Sequence, residues 1–100
     1  MLRNTLFDAL GNPVRRGILE LLRDGPKSVG DIAAAFPVSR PAISRHLKLL
    51  TEAELVARSP HGTRNLYAIE PTGFANAQEY LASFWDDALA RFKVVAENLP

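Results

Sequence analysis

Three breaks fall within the first forty residues: Gly11-Asn12-Pro13, Asp24-Gly25-Pro26 and Pro37-Val38. Proline lacks an amide proton and its ring collides with the preceding turn, and glycine commonly closes a helix, so no helix continues through these points. The N-terminal part of the chain is therefore restricted to short helices. Leu2, Leu6 and Leu10 recur at helical spacing and predict a first helix over about 2–10. Asn12 then caps a second, with Pro13 at its first position, running to about Arg23. Its apolar face is Val14, Ile18, Leu21 and Leu22, opposite Arg16, Glu20 and Arg23. Ser28 and Asp31 have the spacing of a weak capping box and open a third helix, Val29 to Phe36, with Ile32 and Phe36 as its ridge. Ser39 caps a fourth, about 40–53, with Pro41 tolerated in its first turn.

The pattern changes after Glu54. Val56, Leu66, Tyr67 and Ile69 suit strands, and Ser59-Pro60-His61-Gly62-Thr63 between them suits a turn, so 56–69 reads as a two-stranded hairpin ended by Pro71-Thr72-Gly73. A long helix over about 74–98 follows. Leu81, Trp85, Ala88, Phe92, Val95 and Leu99 form a heptad-like seam along it. One hundred residues suffice for one domain, 1–100, around one modest core. The fold class expected is mainly α with a small β-hairpin. Met1 to Leu10 is too short, and too interrupted by Arg3, Asn4 and Asp8, for a signal peptide, and no apolar run is long enough to span a bilayer. A cytoplasmic protein with no membrane partner is expected.

The net charge of +1 is too small to identify a partner, so the placement of charge has to do so. The fourth helix is informative here. Ile43, Leu47 and Leu50 fall on one face, and Pro41, Ser44, Arg45 and Lys48 on the other, with Arg40 at the N-terminal end. No Asp or Glu occurs between Ser39 and Thr51. A helix anchored on one side and carrying cations and hydroxyls on the other suits a DNA major groove. The plainer reading is a solvated basic face. The hairpin that follows favours DNA: Arg58, His61 and Arg64 lie in or near its tip, and Gly62 allows a tight turn. The candidate DNA-binding residues are Ser39, Arg40, Pro41, Ala42, Ser44, Arg45, His46, Lys48, Arg58, His61 and Arg64. His46 reads as a flank of this surface or as a hydrogen-bonded packing residue.

The run Ser39-Arg40-Pro41-Ala42-Ile43-Ser44-Arg45-His46-Leu47-Lys48-Leu49-Leu50 resembles the recognition helix of the ArsR-type repressor family. Leu6 to Pro13, with Arg15, Arg16, Ile18 and Leu19, is similar to that family's opening, and Leu55-Val56 with Gly62, Tyr67 and Ile69 to its wing. The resemblance covers nearly the whole chain. It implies a winged helix-turn-helix homodimer, with N- and C-terminal dimerisation helices, that represses transcription from double-stranded operator DNA. Two departures stand out. Where many members carry a metal-sensing Cys-x-Cys pair, this chain reads Ser28-Val29-Gly30-Asp31-Ile32, and no histidine follows His61 for a site on the last helix. The family also usually has glycine where Glu54 stands, so the turn there is expected to differ.

The apolar faces of the first and last helices exceed what one small core can bury. The dimer interface is therefore expected at Leu2, Leu6, Leu81, Phe84, Trp85, Ala88, Phe92 and Val95. The absence of cysteine excludes disulfides, thiolate metal sites and cysteine catalysis, and two histidines alone make a poor zinc site. Asp86 and Asp87 are adjacent and project about 100° apart, which does not suit an acid/base pair, and Asp87 is better placed to support Arg91. Ser39 and Ser44 have no histidine base at a telling spacing, so no enzyme and no cofactor are expected. Phe84, Trp85 and Phe92 suit an interface, or the lining of a ligand pocket. Two alternatives to a non-metal-sensing repressor remain: a metal- or small-molecule-responsive repressor with an atypical site and an unknown effector, and a winged-helix interaction module or small enzyme subunit that does not bind DNA.

Overall fold

The structure is a computed structural model that describes residues 2–99, with side chains described from Asn4 onward. The elements are α1 (Leu2–Leu10), α2 (Pro13–Leu21), a 3-10 turn (Leu22–Asp24), β1 (Lys27–Ser28), α3 (Val29–Ala34), α4 (Arg40–Glu52), β2 (Val56–His61), β3 (Arg64–Ile69) and α5 (Pro71–Glu97). The expected caps are in place. Asn12 Oδ1 accepts from the amides of Val14 and Arg15 at 2.9 and 3.1 Å. Ser28 Oγ accepts from Asp31 and Ser39 Oγ from Ala42, each at 3.2 Å. Each hydroxyl or amide oxygen satisfies a donor that the first helical turn leaves unpaired.

Several boundaries differ from the sequence expectation. α2 gives way to a 3-10 turn at Leu22, and Ser59, Pro60 and His61 continue β2 because they pair with Leu66, Asn65 and Arg64, which leaves Gly62 and Thr63 as the turn. The sheet has three strands, ordered β1-β3-β2, because Lys27 and Ser28 pair antiparallel with Tyr67 and Leu66. Two residues are too few to show strand alternation, and only the tertiary pairing defines them. α3 ends at Ala34, and Phe36 folds back instead, with its ring against Gly17. α5 starts at Pro71, so Pro71-Thr72-Gly73 is its first turn. Glu70 is the cap: its Oε1 accepts from Thr72 N at 3.1 Å and from Thr72 Oγ1 at 2.9 Å.

The core gathers on the inner face of α4. Ile43, Leu47 and Leu50 are fully buried, together with Ile18, Ile32, Leu55 and Val56. Leu6 and Ala9 bring α1 into the same cluster. α4 is thus fixed from one side by α1, α2 and α3, and by the root of the hairpin.

The chain leaves α4 through Glu54, whose φ is 58°. This is the left-handed conformation that glycine accepts more easily, and here a glutamate adopts it. Leu55 N then donates to Leu50 O at 3.0 Å, and Glu70 N to Leu55 O at 3.0 Å. Gly73 N donates to Glu54 O at 2.8 Å. A Cβ on Gly73 would lie 2.6 Å from the carbonyl oxygens of both Ala53 and Glu54. The first turn of α5 therefore packs directly on the end of α4, at a distance only glycine permits.

Beyond this contact α5 departs from the body. Gly73 and Ala77 are buried, Tyr80 is half-buried, and every residue from Leu81 to Leu99 is exposed. The radius of gyration is 18.0 Å, against about 13 Å for a compact domain of this length.

Candidate nucleic-acid interface

The candidate surface starts from the anchoring of α4. At 100° per residue, Arg45 lies about 160° from the buried Ile43 and His46 only about 60° from it. Ser39, Arg40, Pro41, Ser44, Arg45 and Lys48 are all exposed, and Ala42 and His46 are half-buried at the flank. No ion pair with the described residues engages Arg40, Arg45 or Lys48. Their charges are available to an outside anion, and the amides of the α4 N-terminus add to that field.

His46 does not belong with the outward cations. Arg15 Nη1 donates to its Nδ1 at 3.2 Å. Burial lowers the pKa of the ring below its usual 6.5, and the neighbouring Arg15 and Arg45 guanidinium groups lower it further. The neutral ring is the form that accepts from Arg15. Of the two readings of His46, the flank position and the hydrogen-bonded role therefore both apply. Arg15 itself was not legible as a site residue. Its Nε donates to Ala9 O and its Nη2 to Asp8 O, each at 2.9 Å, so it also closes the C-terminal end of α1.

The hairpin β2–β3 projects beside α4. Residues 57–65 are all exposed, and Gly62, with φ 63°, makes the tip turn. His61 pairs with Arg64 at the tip, while Arg58 pairs with Tyr67 three positions back along β2. Successive side chains alternate faces, so Arg58 lies on the opposite face from His61 and Arg64. The three wing candidates thus form two groups rather than one. Arg64 Nη2 is 3.6 Å from Asp31 Oδ2, and both side chains are well exposed. Such a surface pair is worth about 0–1 kcal/mol and leaves Arg64 free to exchange partners.

The seam on α5 is open in a single chain: Leu81 is 57% exposed, Phe84 57%, Trp85 64%, Phe92 71% and Val95 60%. Ala88 is also exposed. Leu6 differs from the seam residues: it packs inward beside Ala9 in the core of its own chain and offers little surface to a partner. The side chain of Leu2 lies outside the described residues. Phe7 and Tyr80 were missed: the Phe7 ring lies 5.2 Å from Tyr80, which lies 5.0 Å from Phe84, forming an aromatic chain from α1 to the open seam. Among the described residues no ion pair joins Asp87 to Arg91. Phe84 and Trp85 line an open trough on α5 rather than an enclosed pocket. A cavity of about 340 Å³ lies elsewhere, between α1, the end of α4 and α5, lined by Leu6, Glu54, Glu79, Tyr80 and others.

Comparison with known proteins agrees with this architecture. Residues 12–58 match the family model described as bacterial regulatory protein, arsR family. The chain is 46% identical over 92 residues to the HTH-type transcriptional regulator Rv2034 of Mycobacterium tuberculosis, covering 92% of this chain and 86% of that protein. It is 36% identical to the transcriptional repressor SdpR of Bacillus subtilis, covering 81% of this chain and 90% of that one. Its structure is similar to a homodimeric winged helix-turn-helix DNA-binding domain from Mycobacterium bovis, solved by NMR and described as a possible ArsR-family regulator. The TM-score is 0.69 at 29% identity, with 90% of this chain and 83% of that one covered.

Proposed function

The chain belongs to the arsR family of bacterial regulatory proteins, and from that premise we propose that it is a homodimeric repressor that reads an inverted-repeat operator with α4 and touches the flanking backbone with its wing. Its relatives are transcriptional regulators and not enzymes. The observation that carries the reading is the surface of α4. A helix held by three fully buried side chains presents Arg40, Ser44, Arg45 and Lys48 outward, next to an exposed hairpin that carries His61 and Arg64 at its tip. Arg40 and Arg45, near the groove-facing end, suit bidentate contacts to guanine. Lys48 and Arg64 suit phosphate, which fixes register without reading sequence. The bare seam of α5 supplies the second half of the argument. Pairing two copies along it would cover Leu81, Trp85 and Phe92, and a two-fold dimer of this kind presents its recognition helices to half-sites about 34–36 Å apart, one turn of DNA. Such a dimer lying across a promoter represses by occlusion.

The proposal includes a cytoplasmic location, beside the DNA it would bind, and no response to soft metals, since the chain has no cysteine. It is tested by sequencing DNA fragments that the purified protein selects from a random pool. The expected result is an inverted repeat with half-sites about 10–10.5 bp apart or a multiple of that. Recovery of no common sequence would overturn the operator reading. Zinc, cadmium, copper and arsenite are expected to leave the affinity for the selected site unchanged.

A further inference from the structure

Arg15 is half-buried on α2, outside the recognition helix, yet it joins three helices. Its Nε and Nη2 donate to the last carbonyls of α1, at Ala9 and Asp8, and its Nη1 donates to His46 Nδ1 on α4. A guanidinium has donors and no acceptor, so the ring nitrogen it meets must be the acceptor. This fixes the tautomer. His46 Nδ1 is bare and Nε2, across the ring, carries the proton. The ring sits on the flank of α4 between the core and Arg45, where the helix would meet the rim of a groove and not its floor.

We propose that Arg15 is a positioning residue for DNA binding, holding His46 as a neutral Nε2–H donor directed at a phosphate of the operator backbone. Arg15 also ties the end of α1 to α4, so the inner edge of the reading surface is registered against a helix of the N-terminal layer. Arg15 and Arg45 are the charged groups that act on the ring, and burial adds to their effect in keeping it uncharged. The donor is therefore present as a neutral group at neutral pH, in contrast to Arg40, Arg45 and Lys48. The inference rests on α4 being the DNA-facing helix, and its test keeps the two claims separate.

The experiment uses the full-length protein and the duplex that the wild-type protein selects from a random pool. Long-range nitrogen–proton NMR of the free protein at neutral pH reads the tautomer directly. The expected spectrum has an unprotonated Nδ1 and a protonated Nε2, and an Nδ1–H ring would overturn the proposal. Binding titrations then compare two substitutions. His46→Gln can place an amide N–H near the position of Nε2, and His46→Asn reaches only the position of Nδ1. His46→Gln is expected to stay within about threefold of wild type, and His46→Asn to lose about tenfold, the worth of one hydrogen bond to a charged group. Arg15→Met keeps the length of the side chain without its donors. It is expected to mix the tautomers and weaken binding several-fold, with the dimer mass unchanged. If Arg15→Met does not fold, the tautomer and the His46 pair still decide. Lys48→Ala is the control for the underlying reading. If it weakens binding while both His46 variants match wild type, the role given to Arg15 is wrong and α4 still faces DNA. If Lys48→Ala is also silent, the reading of α4 falls with it.

Discussion

Replacing Gly73 by alanine tests whether α5 is seated on α4 as closely as the structure shows. The added Cβ would lie 2.6 Å from two carbonyl oxygens, of Ala53 and Glu54, and 2.8 Å from the Glu54 carbonyl carbon. All three are backbone atoms, so no rotamer change can clear them. Relief requires α5 to move outward by several tenths of an ångström, which stretches the 2.8 Å bond from Gly73 N to Glu54 O. Overpacking of this kind costs about 1–3 kcal/mol, and weakening a buried hydrogen bond costs a further 1 kcal/mol or so. Alanine's better helix propensity returns up to about 1 kcal/mol. The net expectation is a loss of about 2 kcal/mol, or roughly 10 °C in Tm for a domain of this size. Gly30→Ala is the matched control. It too is helical, but its nearest neighbour is Ser28 Oγ at 3.9 Å, so it is expected to be neutral or stabilising by up to about 1 kcal/mol. Denaturation followed by circular dichroism at one fixed protein concentration reads both, because the stability of a dimer depends on concentration. Equal stability of the two variants would refute the close-packed junction.

Three further outcomes are expected. Light scattering at micromolar concentration gives twice the 11.0 kDa chain mass, and Trp85→Ala weakens the dimer by about 3–5 kcal/mol if the ring is buried between copies; a wild-type monomer would remove the interface. Glu54→Gly relieves a left-handed residue with φ 58° and raises stability by up to about 1 kcal/mol in thermal melts; a loss of stability there would contradict the strain. The pKa of His46 is lowered in the folded state by burial, Arg15 and Arg45. Its contribution is therefore present above the unfolded value of about 6.5 and is lost as pH falls through the folded value. His46→Gln is expected to flatten the stability profile on the acid side of pH 6.5, and an unchanged profile would refute that assignment.

The helices were legible because their punctuation is local. Asn12, Ser28 and Ser39 cap in the structure as their side chains dictate, and Ile43, Leu47 and Leu50 are buried as their spacing requires. The outward face of α4 followed from the same periodicity. What was not legible depends on contacts distant in sequence. β1 exists only because β3 lies beside it, and Pro71 reads as a breaker until Glu70 is seen to cap the helix it opens. Leu6 has the spacing of an interface residue, but the body of its own protomer covers it. Arg15 and His46 are 31 positions apart, so no local pattern indicates that one holds the other. Alternation separates Arg58 from His61, three positions on along β2, but His61 reads as part of the turn in the sequence, and only the pairing of His61 with Arg64 places Arg64 on the same face as His61.

The central claim is that α4 enters the groove of DNA, and salt-dependent titrations of three proteins on two duplexes test it most directly. Wild type, Arg45→Ala and Lys48→Ala are measured on the selected operator and on a scrambled duplex of equal length. Arg45→Ala is expected to lose on the order of 1–3 kcal/mol on the operator and much less on the scrambled duplex, because a base contact is lost. Lys48→Ala is expected to weaken both alike and to reduce the slope of log affinity against log salt by about one unit, because a phosphate contact is lost. If both variants bind both duplexes as the wild type does, α4 does not enter the groove, and the interaction-module reading replaces the repressor.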